Sequence, residues 1–109
     1  MLTQQDIRNL KPTDSEYKRG CGNGLYVVID KKFVGKDGKK YGGGKYFKGK
    51  FQGSYAHVGT FGNRYGELSL NDASEEWNTI KEWSKRTGQK VKRYREHQQL
   101  KVDKEQKTL

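Results

Sequence analysis

The sequence predicts an α+β domain: a three-stranded antiparallel sheet packed on one main C-terminal helix, with a short N-terminal helix before it and a disordered basic tail behind. Three observations predict it. Leu25-Tyr26-Val27-Val28-Ile29 is a β-branched and aromatic run of strand length. Lys45–Phe51 and Tyr55–Phe61 alternate with the period of two that a half-covered strand needs. After Ser69, Leu70, Ala73, Trp77 and Ile80 recur at helical spacings of three and four. Residues 1–88 are expected to form the domain and 89–109 a flexible basic tail or linker, since only Leu100, Val102 and Leu109 are apolar near the end.

Each element has a local cause. Thr3 is an N-cap with Asp6 placed at the helix start, and the helix must end before Pro12. Ile7 and Leu10 dock it, while Arg8 and Lys11 flank them, within reach of a phosphate or simply solvated. Cys21-Gly22-Asn23-Gly24 is turn chemistry, and strand one follows it. The Lys- and Gly-rich stretch from Asp30 to Gly44 suits a mobile hairpin connection. In strand two, Phe47, Gly49 and Phe51 share one face and Tyr46, Lys48 and Lys50 the other. In strand three, Ala56 and Val58 point inward, Tyr55 and His57 outward. Ser69 caps the main helix, with Asp72 positioned as in a capping box, and Thr87-Gly88 stops it. Trp83 falls off the apolar stripe, covering a core edge or meeting another domain.

Composition narrows the function. Lys and Arg number 23 against 13 Asp and Glu in 109 residues, a formal charge of +10 with a pI near 9.7, which favours a polyanionic partner. No stretch nears the roughly 20 apolar residues of a spanning helix, and no basic segment is strongly amphipathic, so a membrane partner is not expected. The single Cys21 makes no internal disulfide and the N-terminus lacks a secretory pattern, so a cytoplasmic location is expected. With two histidines in unrelated segments and scattered carboxylates, neither a metal, a cofactor, a small-molecule substrate nor catalysis is expected.

One helix covers only one face of such a sheet. The other then presents Tyr26, Val28, Tyr46, Lys48, Lys50, Tyr55 and His57. Lysines on an exposed sheet serve solubility and edge protection equally well when taken alone, but tyrosines left beside them call for a partner. A narrow β-ribbon fits the major groove of double-stranded DNA, where lysine bonds guanine acceptors or phosphates. Lys39, Lys40 and Lys45, together with Lys31, Lys32 and Lys36, are placed to follow phosphates by charge alone. Gly42-Gly43-Gly44-Lys45 lacks the P-loop pattern and precedes a strand.

Five blocks in order carry a family resemblance: Leu2-Thr3 through Ile7-Arg8-Asn9-Leu10-Lys11-Pro12, Gly22-Asn23-Gly24-Leu25-Tyr26, Gly44–Phe51, Val58-Gly59-Thr60-Phe61, and Ser69-Leu70-Asn71-Asp72-Ala73. Together they resemble the N-terminal arm-site-binding domain of tyrosine integrases from phages and genomic islands. The resemblance implies a three-stranded sheet on a helix that reads arm-type sites in double-stranded DNA. It puts Lys48 and Lys50 where the family has groove-facing arginines, makes other integrase subunits further partners, and leaves catalysis to a domain this chain lacks. This chain departs from the pattern in five ways: Lys replaces Arg, Phe47 replaces Trp and Gly49 replaces Phe, which together are expected to thin the core, Cys21 stands where the family has Asp before Gly-x-Gly, and the lysine loop is longer. The alternatives are a double-stranded-RNA-type module, against which the acidic start of the main helix argues, and a protein interaction domain using Trp83 and the tail.

Overall fold

The computed structural model describes residues 2–98, apart from the side chains of Phe33, Lys40 and Tyr41. Helix α1 (Gln4–Asn9) leads into strands β1 (Tyr17–Gly22), β2 (Leu25–Ile29), β3 (Lys32–Val34), β4 (Lys40–Gly42), β5 (Lys45–Phe51) and β6 (Ser54–Thr60). Helix α2 (Leu70–Thr87) follows, then a 3-10 turn (Val91–Arg93) that runs into a helical turn over 94–98. The main sheet is antiparallel in the order β1-β2-β5-β6, and β3 and β4 form a separate two-stranded ribbon.

The three-strand expectation is therefore corrected to four strands plus a ribbon. The added strand is β1, which pairs along β2 from Tyr17↔Ile29 to Gly22↔Leu25. Between them Asn23 (φ 56°) and Gly24 (φ 82°) make a two-residue turn with both central residues left-handed, the geometry that matches the twist of a hairpin. The segment around Cys21 is thus the end of a strand as well as the start of a turn. Gln52 and Gly53, at φ 50° and 78°, repeat this turn between β5 and β6.

The inner face of the sheet holds the core. Leu25, Val27, Ile29, Phe47, Ala56 and Val58 are buried against Ala73, Trp77 and Ile80 of α2 and Ile7 of α1. Trp77 lies flat over Gly49, where an added Cβ would sit about 2.4 Å from its six-membered ring. The glycine therefore does not thin the core; the indole occupies the volume that a larger β5 residue would take. Trp77 Nε1 donates to the Asn23 carbonyl at 2.8 Å, and Lys81 Nζ to the same oxygen at 3.1 Å, so α2 is also pinned to the first hairpin turn.

Both helices have the expected starts. The Thr3 hydroxyl accepts from the Asp6 amide while the Asp6 carboxylate accepts from the Thr3 amide, and Ser69 caps α2 through the Asp72 amide. Gly88 ends α2 in the left-handed region at φ 74°, and its amide donates to the Ser84 carbonyl.

Over residues 89–98 the expected disorder is corrected. Val91 and Tyr94 belong to the core, and Trp83, 3% exposed, meets the rings of Tyr94 and His97 at 5.5 and 5.3 Å. Two large apolar groups just beyond Gly88 suffice to fold the chain back, which composition averaged over the whole tail conceals. Trp83 thereby covers a core edge within the domain. Residues 99–109, the remainder of the expected tail, lie outside the described residues.

Candidate nucleic-acid interface

Register decides which side chains share the outer face. Val28 pairs with Tyr46 and Tyr26 with Lys48 across β2 and β5. Across β5 and β6, Tyr46 pairs with Thr60, but a bulge after Phe47 puts Lys48 opposite His57 and Lys50 opposite Tyr55. In straight register Lys48 and Lys50 would face Val58 and Ala56. The extra residue therefore turns Ala56 and Val58 into the core and Tyr55 and His57 outward, because a one-residue slip exchanges the two faces of a strand.

The bulge is held from outside the sheet. Arg95, in the C-terminal helical turn, donates from Nη2 to the Val58 carbonyl at 2.6 Å and to the His57 carbonyl at 3.4 Å. Its other amine lies 3.7 Å from Glu76 of α2 and donates to Gln98 at 2.9 Å. This contact also closes part of the β6 edge against pairing with another strand.

The face combines cations with aromatic rings. Tyr55 is its hub: the ammoniums of Lys48, Lys50 and Lys18 lie 4.6, 5.4 and 5.7 Å from its ring centroid. Lys18 also lies 4.9 Å from the Tyr26 ring, and Tyr46 and His57 have centroids 5.5 Å apart. Cation–π contact at exposed sites stabilises by about 0.5–1 kcal/mol, enough to bias lysine rotamers without neutralising their charge. A shallow depression of about 430 Å³ lies among Tyr26, Val28, Tyr46, Lys48, Tyr55 and Glu16. Val28, 5% exposed, lines this depression but is buried beneath its neighbours, which corrects the expectation that it is presented to a partner.

Lys18 and Glu16 are not among the sequence-derived site residues, because the segment before the Cys21–Gly24 turn carries no strand pattern of its own. The signal was Asn23-Gly24, the strongest short hairpin dipeptide, which demands a strand on each side. Glu16 brings the one carboxylate lining that depression. Its Oε1 accepts from the Tyr46 hydroxyl at 3.4 Å, and burial followed by this carboxylate pushes the Tyr46 phenol above its ordinary range.

The remaining predicted residues lie elsewhere. Lys45 is on the inner face of β5, where its ammonium donates to the Ile7 and Arg8 carbonyls at 2.8 and 2.9 Å. It caps the C-terminal end of α1, a favourable place for a cation, and partial burial lowers its pKa. Arg8 and Lys11 are exposed, in and just after that same helix, on the side of the sheet away from Lys48 and Lys50. Lys39 is exposed in the β3–β4 connection. Lys40 begins β4 opposite Val34, and its side chain lies outside the described set.

His57 is held below the ordinary histidine value near 6.5, first by burial and then by the Arg95 guanidinium. The unfolded chain therefore takes up this proton more readily, so His57 subtracts stability as pH falls through that value. Phosphates facing the ring would act in the opposite sense, favouring imidazolium. If this face binds duplex DNA, affinity should rise about two- to fivefold from pH 7.5 to 6, through proton uptake on binding. Anisotropy titrations should show the rise in the wild type and not in His57→Gln; an equal rise in both would exclude His57 as its source.

Cys21 is buried, and burial pushes its thiol above the ordinary cysteine value, the reverse of what an activated nucleophile requires. No helix among the described residues is long and apolar enough to cross a membrane. No family model matches the chain, and no curated protein or solved structure matches it either.

Proposed function

We propose that the chain is a non-catalytic module that binds double-stranded DNA through the outer face of its sheet, entering the major groove with β5 and β6. The observation that carries this reading is the one-sided covering of the sheet. Trp77 of α2 rests on Gly49, and Lys45 holds α1, all on the inner face. The opposite face presents Lys18, Lys48 and Lys50 around Tyr26, Tyr46 and Tyr55.

The chemistry suits a groove. Lysine ammoniums bond guanine O6 and N7 or phosphate oxygens, and tyrosine rings offer apolar surface to thymine methyl groups. Because lysine lacks the bidentate fork of arginine, these contacts give affinity with modest base discrimination. The order of motifs resembling integrase arm-site domains supports the same reading, and with it a role in DNA integration and recombination beside other recombinase subunits is part of the proposal. The separate reading as a protein interaction domain built on Trp83 loses its main support, since Trp83 is covered by Tyr94 and His97.

Titration of labelled protein with a mixed-sequence DNA duplex tests the proposal. Amide shifts should concentrate in β1, β5 and β6 around Lys18, Tyr46–Lys50 and Tyr55–His57. A matched RNA duplex should compete at least tenfold more weakly, because its deep, narrow major groove does not admit side chains. Shifts confined to α2 and the 94–98 turn, or equal competition by RNA, would defeat the proposal.

A further inference from the structure

We propose that the β3–β4 ribbon is a preformed arm that grips the DNA phosphate backbone beyond the stretch covered by the sheet; this rests on the reading above. The sequence suggested a mobile connection between Asp30 and Gly44. Instead the chain forms an antiparallel ladder, Lys32↔Gly42, Phe33↔Tyr41 and Val34↔Lys40, continuing the hairpin made by β2 and β5.

The arm is ordered at both ends. At its base the Asp30 amide donates to the Gly44 carbonyl at 2.9 Å, and the Lys32 amide to the Thr13 carbonyl at 3.0 Å. Gly43, at φ 78°, packs so closely on Pro12 that an added Cβ would lie 3.0 Å from its ring. Gly42, at φ 90°, lies so near the Lys31 carbonyl that only glycine fits. At the tip the Gly35 amide donates to the Lys39 carbonyl at 2.8 Å and the Gly38 amide to the Gly35 carbonyl at 3.0 Å. The Asp37 carboxylate accepts from the Lys39 amide at 3.0 Å, fixing an Asx turn.

Lys31, Lys32, Lys36 and Lys39 are exposed along this scaffold. Lys31 and Lys32, neighbours at the base of the first limb, face opposite sides, and Lys36 and Lys39 sit at the tip, so positive charge is spread along the length of the arm. The limb from Lys31 to Gly35, about four rises of roughly 3.3 Å, carries it over about 13 Å to the tip turn. Each strand of a duplex presents one phosphate per about 3.4 Å of helix axis, so that length spans about four of them. Because the scaffold is already hydrogen-bonded, binding orders only the lysine side chains, which lowers its entropic cost. Backbone contacts of this kind add affinity and register without reading sequence. A charged hairpin that served only solubility would need neither the Pro12 clamp nor the Asx turn.

The test compares wild type with Lys31→Gln/Lys32→Gln/Lys36→Gln/Lys39→Gln on two mixed-sequence DNA duplexes, one of about 12 and one of about 30 base pairs. The shorter is close to the single helical turn that a groove-docked element spans. All four side chains are exposed, so the variant should keep the wild-type melting temperature. On the long duplex it should lose at least about tenfold in affinity, with a salt slope shallower by about 0.9 for each contact removed. On the short duplex the two proteins should bind alike. Equal binding of the long duplex would overturn the proposal, and so would equal losses on both lengths, which would place these lysines within the sheet's own footprint. A parallel titration of Lys48→Ala/Lys50→Ala keeps the two readings apart: loss there on both lengths reports the sheet, whereas loss by the glutamine variant on the long duplex alone reports the arm.

Discussion

Lys48→Ala/Lys50→Ala is expected to bind a mixed-sequence DNA duplex about 50-fold more weakly than wild type at 0.1 M salt, with a log–log salt slope shallower by about 1.8. The figures follow from counterion release, which gives about 0.9 per phosphate neutralised, so two contacts amount to nearly two decades relative to 1 M salt. Neither side chain supports the core: Lys50 is exposed, Lys48 partly so, and both point away from Phe47 and Phe51. What the fold loses is their contact with the Tyr55 ring, roughly 0.5–1 kcal/mol each. Urea melts should therefore move little while DNA titrations move far. Lys45→Met is the informative control, for it removes a cation from the same strand but from the other face. It should destabilise the α1 junction, where two carbonyls lose their donor, and leave DNA affinity within about twofold. If the double alanine variant kept both affinity and slope, or if Lys45→Met matched its loss, the outer face would not be the interface. Lys48→Arg/Lys50→Arg should keep affinity and increase preference for guanine-containing sites, because the guanidinium fork addresses O6 and N7 together.

How far the sequence anticipated this surface differs from strand to strand, for identifiable reasons. The alternation in Lys45–Phe51 placed Tyr46, Lys48 and Lys50 outward and Phe47 inward without any partner, because period two assigns faces by itself. The same rule put Tyr55 and His57 outward, although their pairing with Lys50 and Lys48 depends on a bulge that no residue type announces. β1 escaped notice because Tyr17-Lys18-Arg19-Gly20 carries one large apolar residue, and an edge strand with most of its side chains in water has little need of alternation. Lys45 was assigned to DNA by its charge, whereas its face is fixed by parity with Phe47 and its partner by a helix 37 positions earlier. The ribbon was legible in composition but not in form. Its glycines signal mobility and tight turns alike, and only the neighbouring Pro12 and the Lys31 carbonyl distinguish the two.

Gly49 carries the largest expected effect on stability. A methyl group there would fall 2.4–2.5 Å from three ring carbons of Trp77, well inside contact distance. The indole has little freedom to retreat: Nε1 is bonded to Asn23, and Lys81, which shares that carbonyl, stands 5.7 Å from the ring. Two effects oppose each other in Gly49→Ala. Removing a strand glycine favours the folded state by about 0.5–1 kcal/mol through the unfolded chain's entropy, while overpacking a fixed core costs about 1–3 kcal/mol. Overpacking wins, and Gly49→Ala should lose about 1 kcal/mol net. Gly49→Val adds two more carbons against the same ring and should remove most of the 5–15 kcal/mol typical of a small domain. The coupling is testable with Trp77→Leu. Alone it should cost about 3–5 kcal/mol through the cavity it opens. Combined with Gly49→Ala it should cost less than the sum by at least about 1 kcal/mol, because the added methyl occupies part of that cavity. Urea denaturation of the four proteins supplies the cycle. Full additivity, or a Gly49→Ala protein as stable as wild type, would mean that Trp77 does not rest on Gly49. That contact fixes α2 on the inner face, so such a result would also remove the reason the lysine- and tyrosine-bearing face is left uncovered.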